Sequence, residues 1–446
     1  MLSLAFPVVI AEVGWMAMQI VDIGMVGRLG PEAIGAVGVG SALFLALSVF
    51  AMGLLLGLDT LISQAAGAHQ PQECAVWLRH GLLLAATLTV PLTLAARLVA
   101  SSLQVWGLTP TVFELTTGYF GVVTWSMLPL LLYFALRRYL QAMNCARPVM
   151  LTLLSANLIN AGANWLLVFG NWGLPRLGVE GAAWATCISR AYMFAMLAAV
   201  TWWVHRRSVS DGSAEDQVSP QRPIRRFEVA RMRQLLTLGG PAAGQLILEI
   251  GVFAAATALA GRLAPQQLAA HQIVLNLAGL TFMVPLGVSA AGAVRVGQAV
   301  GRADTDGARL SGWVAIGLGA LFMGVAAVLF VAVPRWLLSV FTSDLGVIDV
   351  GVLLLRVAAV FQLFDGLQVV ATGALRGLGD TRTPMLSNLL GHWVVGLPVG
   401  YALCFSWGWG VLGLWVGLSL GLILVGVILV PMWHCRVQAL ALTTQP

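Results

Sequence analysis

Gly27-Arg28-Leu29-Gly30-Pro31 returns 234 residues later as Gly261-Arg262-Leu263-Ala264-Pro265. At the same offset Pro7 matches Pro241, Ala36 matches Ala270, Gln64 matches Gln298 and Gly67 matches Gly301. One offset held from Pro7 to Gly67 marks a duplication. Both copies lie among long apolar runs. A bilayer crossing takes about 20 mostly apolar residues in helical form. Twelve windows qualify: 4–26, 36–63, 81–104, 112–136, 149–170, 179–204, 237–261, 269–294, 310–333, 347–372, 385–406 and 410–433. Six precede the polar stretch 205–234 and six follow it. Six crossings return the chain to its starting side, so the two copies run parallel. Such repeats are related by an axis along the membrane normal, which suits two bundles rocking about a central cavity. The expected fold class is therefore all-α integral membrane, with 12 transmembrane helices in two pseudo-symmetric six-helix bundles around that cavity. The expected domains are an N-terminal bundle over 1–204, a linker over 205–234 and a C-terminal bundle over 235–446. The apolar runs are continuous rather than alternating, which argues against a β-barrel.

Composition supports lipid as the main solvent. Of the 446 residues 59% are hydrophobic and 9% charged, against about 25% charged in a soluble domain. All 24 basic residues are arginine. They sit between apolar runs and form no contiguous basic patch, so the net charge of +6 does not point to nucleic acid. Most fall in alternate loops, at Arg79, Arg137, Arg138, Arg147, Arg206, Arg207, Arg222, Arg225, Arg226, Arg231, Arg233, Arg295, Arg302, Arg309, Arg376, Arg382 and Arg436. The opposite loops hold only Arg28, Arg176, Arg262 and Arg335. The positive-inside rule then puts both termini and the 205–234 loop in the cytoplasm. The first apolar run carries Glu12 and Asp22 and lacks a basic leader, so it reads as a retained helix. The five cysteines are scattered without a C-x-x-C pair, which argues against a zinc site or a disulfide framework.

Ionisable groups inside a span are costly, at least about 2.5–3.5 kcal/mol at mid-membrane, and mark functional sites. Glu249 has Gln245 one turn before it. Asp365 has Gln368 and Thr372 on its face. Gln272 and Asn276 pair at i, i+4, as do Asn388 and His392. Each stripe is expected to face protein or a watery cavity, either as cavity lining or as an interhelical hydrogen-bond network. Asp22, Asn157, Asn160, Asn164 and Thr186 supply a carboxylate, amide oxygens and a hydroxyl. That donor set suits a hard cation such as sodium, or a titrating proton site. Asp59 lies near a span end and is expected to snorkel or pair with a loop arginine. Arg190 and Arg356 fall within spans and are expected to neutralise carboxylates or reach helix ends. The 16 Trp, 17 Phe and 15 Met suit both interfacial belts and a cavity for hydrophobic cations. There is no Walker A, H-E-x-x-H or G-x-S-x-G sequence, so neither ATP drive nor an intramembrane hydrolase has support.

These motifs together resemble the multidrug and toxic compound extrusion (MATE) family, in its bacterial drug/cation antiporter branch. The first half contributes Val21-Asp22-Ile23-Gly24-Met25-Val26-Gly27-Arg28-Leu29-Gly30, Asp59-Thr60-Leu61-Ile62-Ser63-Gln64 and Asn157-Leu158-Ile159-Asn160-Ala161-Gly162-Ala163-Asn164. The second half contributes Pro241 with Glu249, Ala270-His271-Gln272-Ile273, Asp365-Gly366-Leu367-Gln368-Val369-Val370 and Leu375-Arg376-Gly377-Leu378-Gly379-Asp380. The resemblance covers nearly the whole chain. It implies a secondary multidrug efflux transporter of the bacterial inner membrane, exporting organic cations in exchange for H+ or Na+ by alternating access. The further expectations are no enzyme activity, no cofactor beyond the coupling ion, no ATP and a monomer in the lipid bilayer. By matching position Glu249, Asp365 and Gln368 look like the C-lobe cation and substrate site, and Gln245, Gln272, Asn276, Asn388 and His392 are candidate cavity-lining residues. Asp22, Asn160, Asn164 and Thr186 look like the N-lobe cation site and are the candidate Na+ ligands. Phe361 stands where sodium-coupled relatives often carry tyrosine, a departure that removes one oxygen. The alternative is a lipid-linked oligosaccharide flippase of the same superfamily, which would want an arginine-rich cavity. A passive channel would instead carry flux uncoupled from any ion gradient.

Overall fold

A computed structural model describes residues 1–210 and 228–444. Most of the expected linker, including Asp211, Glu215, Asp216, Arg222, Arg225 and Arg226, lies outside the described residues. Within them there is no strand. The helices are α1 Leu2–Val26, α2 Pro31–Leu55, α3 Gly57–Gly67, α4 Pro71–Ser102, α5 Pro110–Thr124, α6 Met127–Ala142, α7 Ala146–Phe169, α8 Val179–Ser210, α9 Val229–Ala260, α10 Pro265–Gly301, α11 Thr305–Ala332, α12 Pro334–Ser339, α13 Leu345–Leu378, α14 Arg382–Asn388, α15 Leu397–Tyr401 and α16 Val411–Thr444. Two π-helical stretches, Leu389–Gly396 and Ala402–Ser406, flank α15.

Among the described residues eleven helical stretches are long and apolar enough to span a membrane. The pair α5 and α6, bent by 48° at Trp125–Ser126, supplies a twelfth. The protein is thus an all-helical, multi-pass membrane protein. Every expected window falls on one of these spans.

Local chemistry explains the helix ends. Pro31, Pro110 and Pro265 open α2, α5 and α10 at the first turn, where a missing N–H costs nothing. Asp344 caps α13 by accepting from the N–H groups of Gly346 and Val347 at 2.8 and 3.2 Å. Helix α13 ends at Gly379 with φ of 93°, a conformation glycine adopts without strain. Between α2 and α3 the span breaks at Leu56, whose N–H turns to Gly53 O.

The chain divides into two compact units. The first comprises Met1–Val13, Asp59–Gln70 and Leu238–Pro446, and the second Gly14–Leu58 and Pro71–Thr237. In the first unit, α10, α11, α13 and α16 pack around an apolar core that includes Phe330, Leu355, Phe361 and Trp415. The segment 59–70 lies against the ends of α10 and α13. Thr60 donates to Arg376 O at 2.5 Å, and Gln64 Nε2 to Gly377 O at 3.1 Å. In the second unit, α7 packs on α8, and α2 on α5. The start of α9 is tied to the start of α4 by Arg231, which is paired with Glu73 and lies over the Trp77 ring.

Candidate cation sites in the two units

In the second unit Asp22, on α1, meets α7 and α8. Asn160 and Asn164 are one turn apart on α7 and fully buried, because their spacing puts both on the face toward α1. Asn164 Nδ2 donates to Asp22 Oδ1 at 2.7 Å and to Asn160 Oδ1 at 3.2 Å. Thr186 Oγ1 reaches Asp22 Oδ2 at 3.3 Å. The four residues expected to form the N-lobe site are therefore in one buried cluster. Asn157 stands apart from it: its amide donates to the backbone carbonyls of Gly14 and Leu153, both at 2.9 Å.

The orientation of these amides has a chemical consequence. Asn164 turns its N–H toward Asp22, while its Oδ1 and the Nδ2 of Asn160 have no hydrogen-bond partner. A half-turn of the Asn164 amide would exchange donor for acceptor and present its Oδ1 beside Asp22. The amide and hydroxyl here donate to Asp22, and oxygen ligation of a sodium ion would require Asn164 to turn. Among the described residues no group of three or more His, Cys, Asp or Glu is placed to hold a metal.

Arg190, one turn beyond Thr186 on α8, donates to Ser126 Oγ at 2.6 Å and lies 4.3 Å above the Phe44 ring. Its contacts are thus a hydroxyl and an aromatic face rather than a carboxylate. Arg356, by contrast, is exposed.

In the first unit Glu249 on α9 and Asp365 on α13 are joined by a single amide. Gln368 Nε2 lies 3.2 Å from Glu249 Oε1 and 3.5 Å from Asp365 Oδ1. Gln245 Nε2 approaches the other Glu249 oxygen at 3.5 Å. Gln368 is fully buried and Asp365 nearly so. Two carboxyl groups here share one neutral amide donor, which cannot itself balance a negative charge on either.

The other expected residues are placed differently. Phe361, one turn before Asp365, is buried and stacks on Trp415 with ring centroids 5.7 Å apart. It contributes packing and no polar atom. Asn388 and His392 are fully buried on the α14–π segment. Gln272 and Asn276 are exposed, and Asn276 bonds back to Gln272 O at 2.8 Å, apart from the Glu249 cluster.

Asp59 does not snorkel. It is buried, and its Oδ2 lies 3.6 Å from Arg376 Nε. The expected pairing with a loop arginine is realised, but that arginine sits within α13 and is itself buried. The reading of the sequence also passed over Tyr119, whose hydroxyl is 3.0 Å from Ser41 Oγ. No spacing signal links those two residues, which lie on different helices.

The MatE family profile matches residues 7–166 and 241–402, the two halves of the duplication. The chain belongs to the MatE family. Among its relatives this MatE chain is 37% identical to a probable multidrug resistance protein NorM of Rhodopseudomonas palustris, over 97% of this chain and 90% of that protein. It is 35% identical to a probable multidrug resistance protein NorM of Mesorhizobium japonicum, over 98% of this chain and 93% of that one. Its fold matches that of the eukaryotic MATE transporter AtDTX14, with TM-score 0.84, 21% identity and coverage of 100% and 98%.

Proposed function

We propose that this MatE chain is a secondary multidrug efflux transporter that exports organic cations in exchange for protons or sodium by alternating access. The observation that carries this reading is the Gln368 amide shared between Glu249 and Asp365. A paired carboxylate inside a span has to be neutralised by something that arrives and leaves, either the coupling ion or the cationic drug. Competition for that charge couples the two fluxes, provided each ligand prefers a different state of the protein. The NorM relatives support the drug-export reading. The Asp22, Asn160, Asn164 and Thr186 cluster is a second site for the coupling ion.

In this reading each repeat forms a six-helix bundle, over 1–204 and 235–446. The protein lies in the bacterial inner membrane as a monomer with both termini cytoplasmic. It works without ATP and without chemical change to its substrate. A flippase for lipid-linked oligosaccharide fits less well, since the buried centre of the first unit is acidic.

The test is ethidium efflux from proteoliposomes, with a pH gradient and a sodium gradient imposed separately. Asp365→Asn should abolish driven efflux in protein that remains folded. Undiminished efflux by that variant would sink the carboxylate mechanism, and no response to either gradient would revive the flippase.

A further inference from the structure

The first unit holds two fully buried histidines, and their surroundings differ. His271 on α10 has both ring nitrogens engaged. Trp415 Nε1 donates to its Nδ1 at 3.0 Å, and its Nε2 lies 2.9 Å from Thr257 Oγ1. An indole nitrogen only donates, so Nδ1 is the acceptor and the proton resides on Nε2. That ring is fixed as one neutral tautomer by its packing.

His392 has neither nitrogen partnered. A neutral imidazole always carries one N–H donor and one acceptor, and burying them without partners is costly. The ring lies in the π-helical stretch Leu389–Gly396, where wider turns re-aim side chains and loosen the carbonyl ladder; such stretches recur at functional sites. Two sides of this stretch are tightly packed. Gly391 and Gly396 let it approach α16, where a Cβ at Gly391 would come within 2.7 Å of Gly421 O. On the other side it locks onto α9, with Trp393 Nε1 donating to Leu248 O at 2.9 Å.

That register fixes the level of His392. Met385 sits beside Gly244, Trp393 sits beside Leu248 and Gly251, and the His392 ring is 6.4 Å from the Phe253 ring. The imidazole therefore stands beside the helix turn that follows Glu249. The nearest titratable group along α9 is Glu249, one turn before Phe253, and it shares Gln368 with Asp365. On the packed face of α16, at Gly417, Gly421 and Val425, there is none. Unpartnered oxygens of Gln368, Thr372 and Asn388 add buried polar atoms to the same unit, the kind that ordered water satisfies.

We propose that His392 carries protons to and from the Glu249–Asp365 pair. The neutral ring takes a proton from water at its free nitrogen. The imidazolium then gives a proton, through water, to a carboxylate oxygen of the pair. The carboxylic acid forms and the ring returns to its neutral state. No bond other than N–H and O–H changes. This rests on the reading that the pair handles the coupling ion.

The experiment compares His392→Gln, Glu249→Gln and Asp365→Asn in proteoliposomes, with ethidium binding measured on the same preparations. His392→Gln keeps an amide of similar size but cannot carry a proton. Its ethidium binding should stay within about twofold, while proton-driven efflux falls by roughly tenfold or more and one ionisation leaves the pH profile. Wild-type efflux with an unchanged pH profile overturns the proposal, and so does efflux driven by sodium alone. If the carboxylate variants export normally, the pair itself is misassigned, which is a separate failure. Should His392→Gln not fold, nitrogen NMR of the 15N-histidine-labelled wild type decides. The His392 signals should titrate and should shift in Glu249→Gln, whereas one invariant neutral tautomer from about pH 5 to 9 overturns the relay.

Discussion

Ser63 lies against Gly297, its own counterpart at the 234-residue offset. A residue that touches its repeat mate marks a local two-fold relation within the first unit. The neighbouring contacts obey the same symmetry: Gly67 faces the carbonyl of Gln298, and Gly301 faces the carbonyl of Gln64. Each pair is the other with its repeats exchanged, the self-complementary pattern of a two-fold interface. The contact needs glycine, because at each of these positions a Cβ would fall closer to its neighbour than Cβ atoms pack.

Exchanging the two mates is therefore a sharp test. Gly297→Ala alone should lower the thermal midpoint in detergent and reduce the yield of folded protein. The exchange Ser63→Gly with Gly297→Ser should recover much of the loss, since the pair again has one hydroxymethyl and one hydrogen. A swap no better than Gly297→Ala would show that backbone overlap, not this pair, sets the limit.

The Asp59–Arg376 pair invites a double-mutant cycle. Breaking a buried ion pair by removing one partner costs about 3–5 kcal/mol, whereas removing both costs much less. Asp59→Ala and Arg376→Met should each destabilise by roughly that amount. The double variant should be clearly less damaged than the two losses added together. Chemical denaturation of detergent-solubilised protein measures all three.

Asn164 and Asn157 lie two turns apart on α7 and should separate function from stability. Asn164→Ala removes the 2.7 Å donor to Asp22 and the amide that would turn toward a cation. Driven ethidium efflux should fall by about tenfold, with the fold retained. Asn157→Ala removes bonds to the carbonyls of Gly14 and Leu153. It should cost about 1–2 kcal/mol of stability while efflux per folded molecule stays near wild type. Equal efflux from both variants would remove Asn164 from the site.

Trp415→Phe should cost about 1–3 kcal/mol, because it leaves His271 Nδ1 buried without a donor. The same change shortens the stack on Phe361. A thermal melt that does not move would mean that His271 finds another partner.

The spans were legible because a bilayer crossing writes itself as a run of apolar residues long enough to count, and the duplication because Pro and Gly mark the turns of both copies. Asn160 and Asn164 could be placed on one face by their spacing. Their meeting with Asp22 and Thr186 could not, because it depends on how three helices rotate and pack. The Asp59 partner was hidden for the same reason, with Arg376 more than three hundred residues away and read as a loop residue. The π-helical stretches leave no periodic trace, since Leu389–Gly396 reads as an ordinary apolar run containing two glycines. Gln272 and Asn276 share one face by their spacing and lie exposed, but spacing identifies a face without saying what the face meets.

The assignment of 59–70 to the unit built mainly from 238–446 bears on the order of synthesis. The Thr60 and Asp59 side chains leave the ribosome some 316 residues before Arg376, the residue that receives them. At about 5–20 residues per second the wait is roughly 15–60 s. For that interval the Thr60 hydroxyl and the Asp59 carboxylate lack the contacts they make with Arg376 in the finished protein. Insertion machinery that shelters polar segments beside the bilayer would act on this chain during that window, and truncations ending before Arg376 should be cleared rather than accumulate.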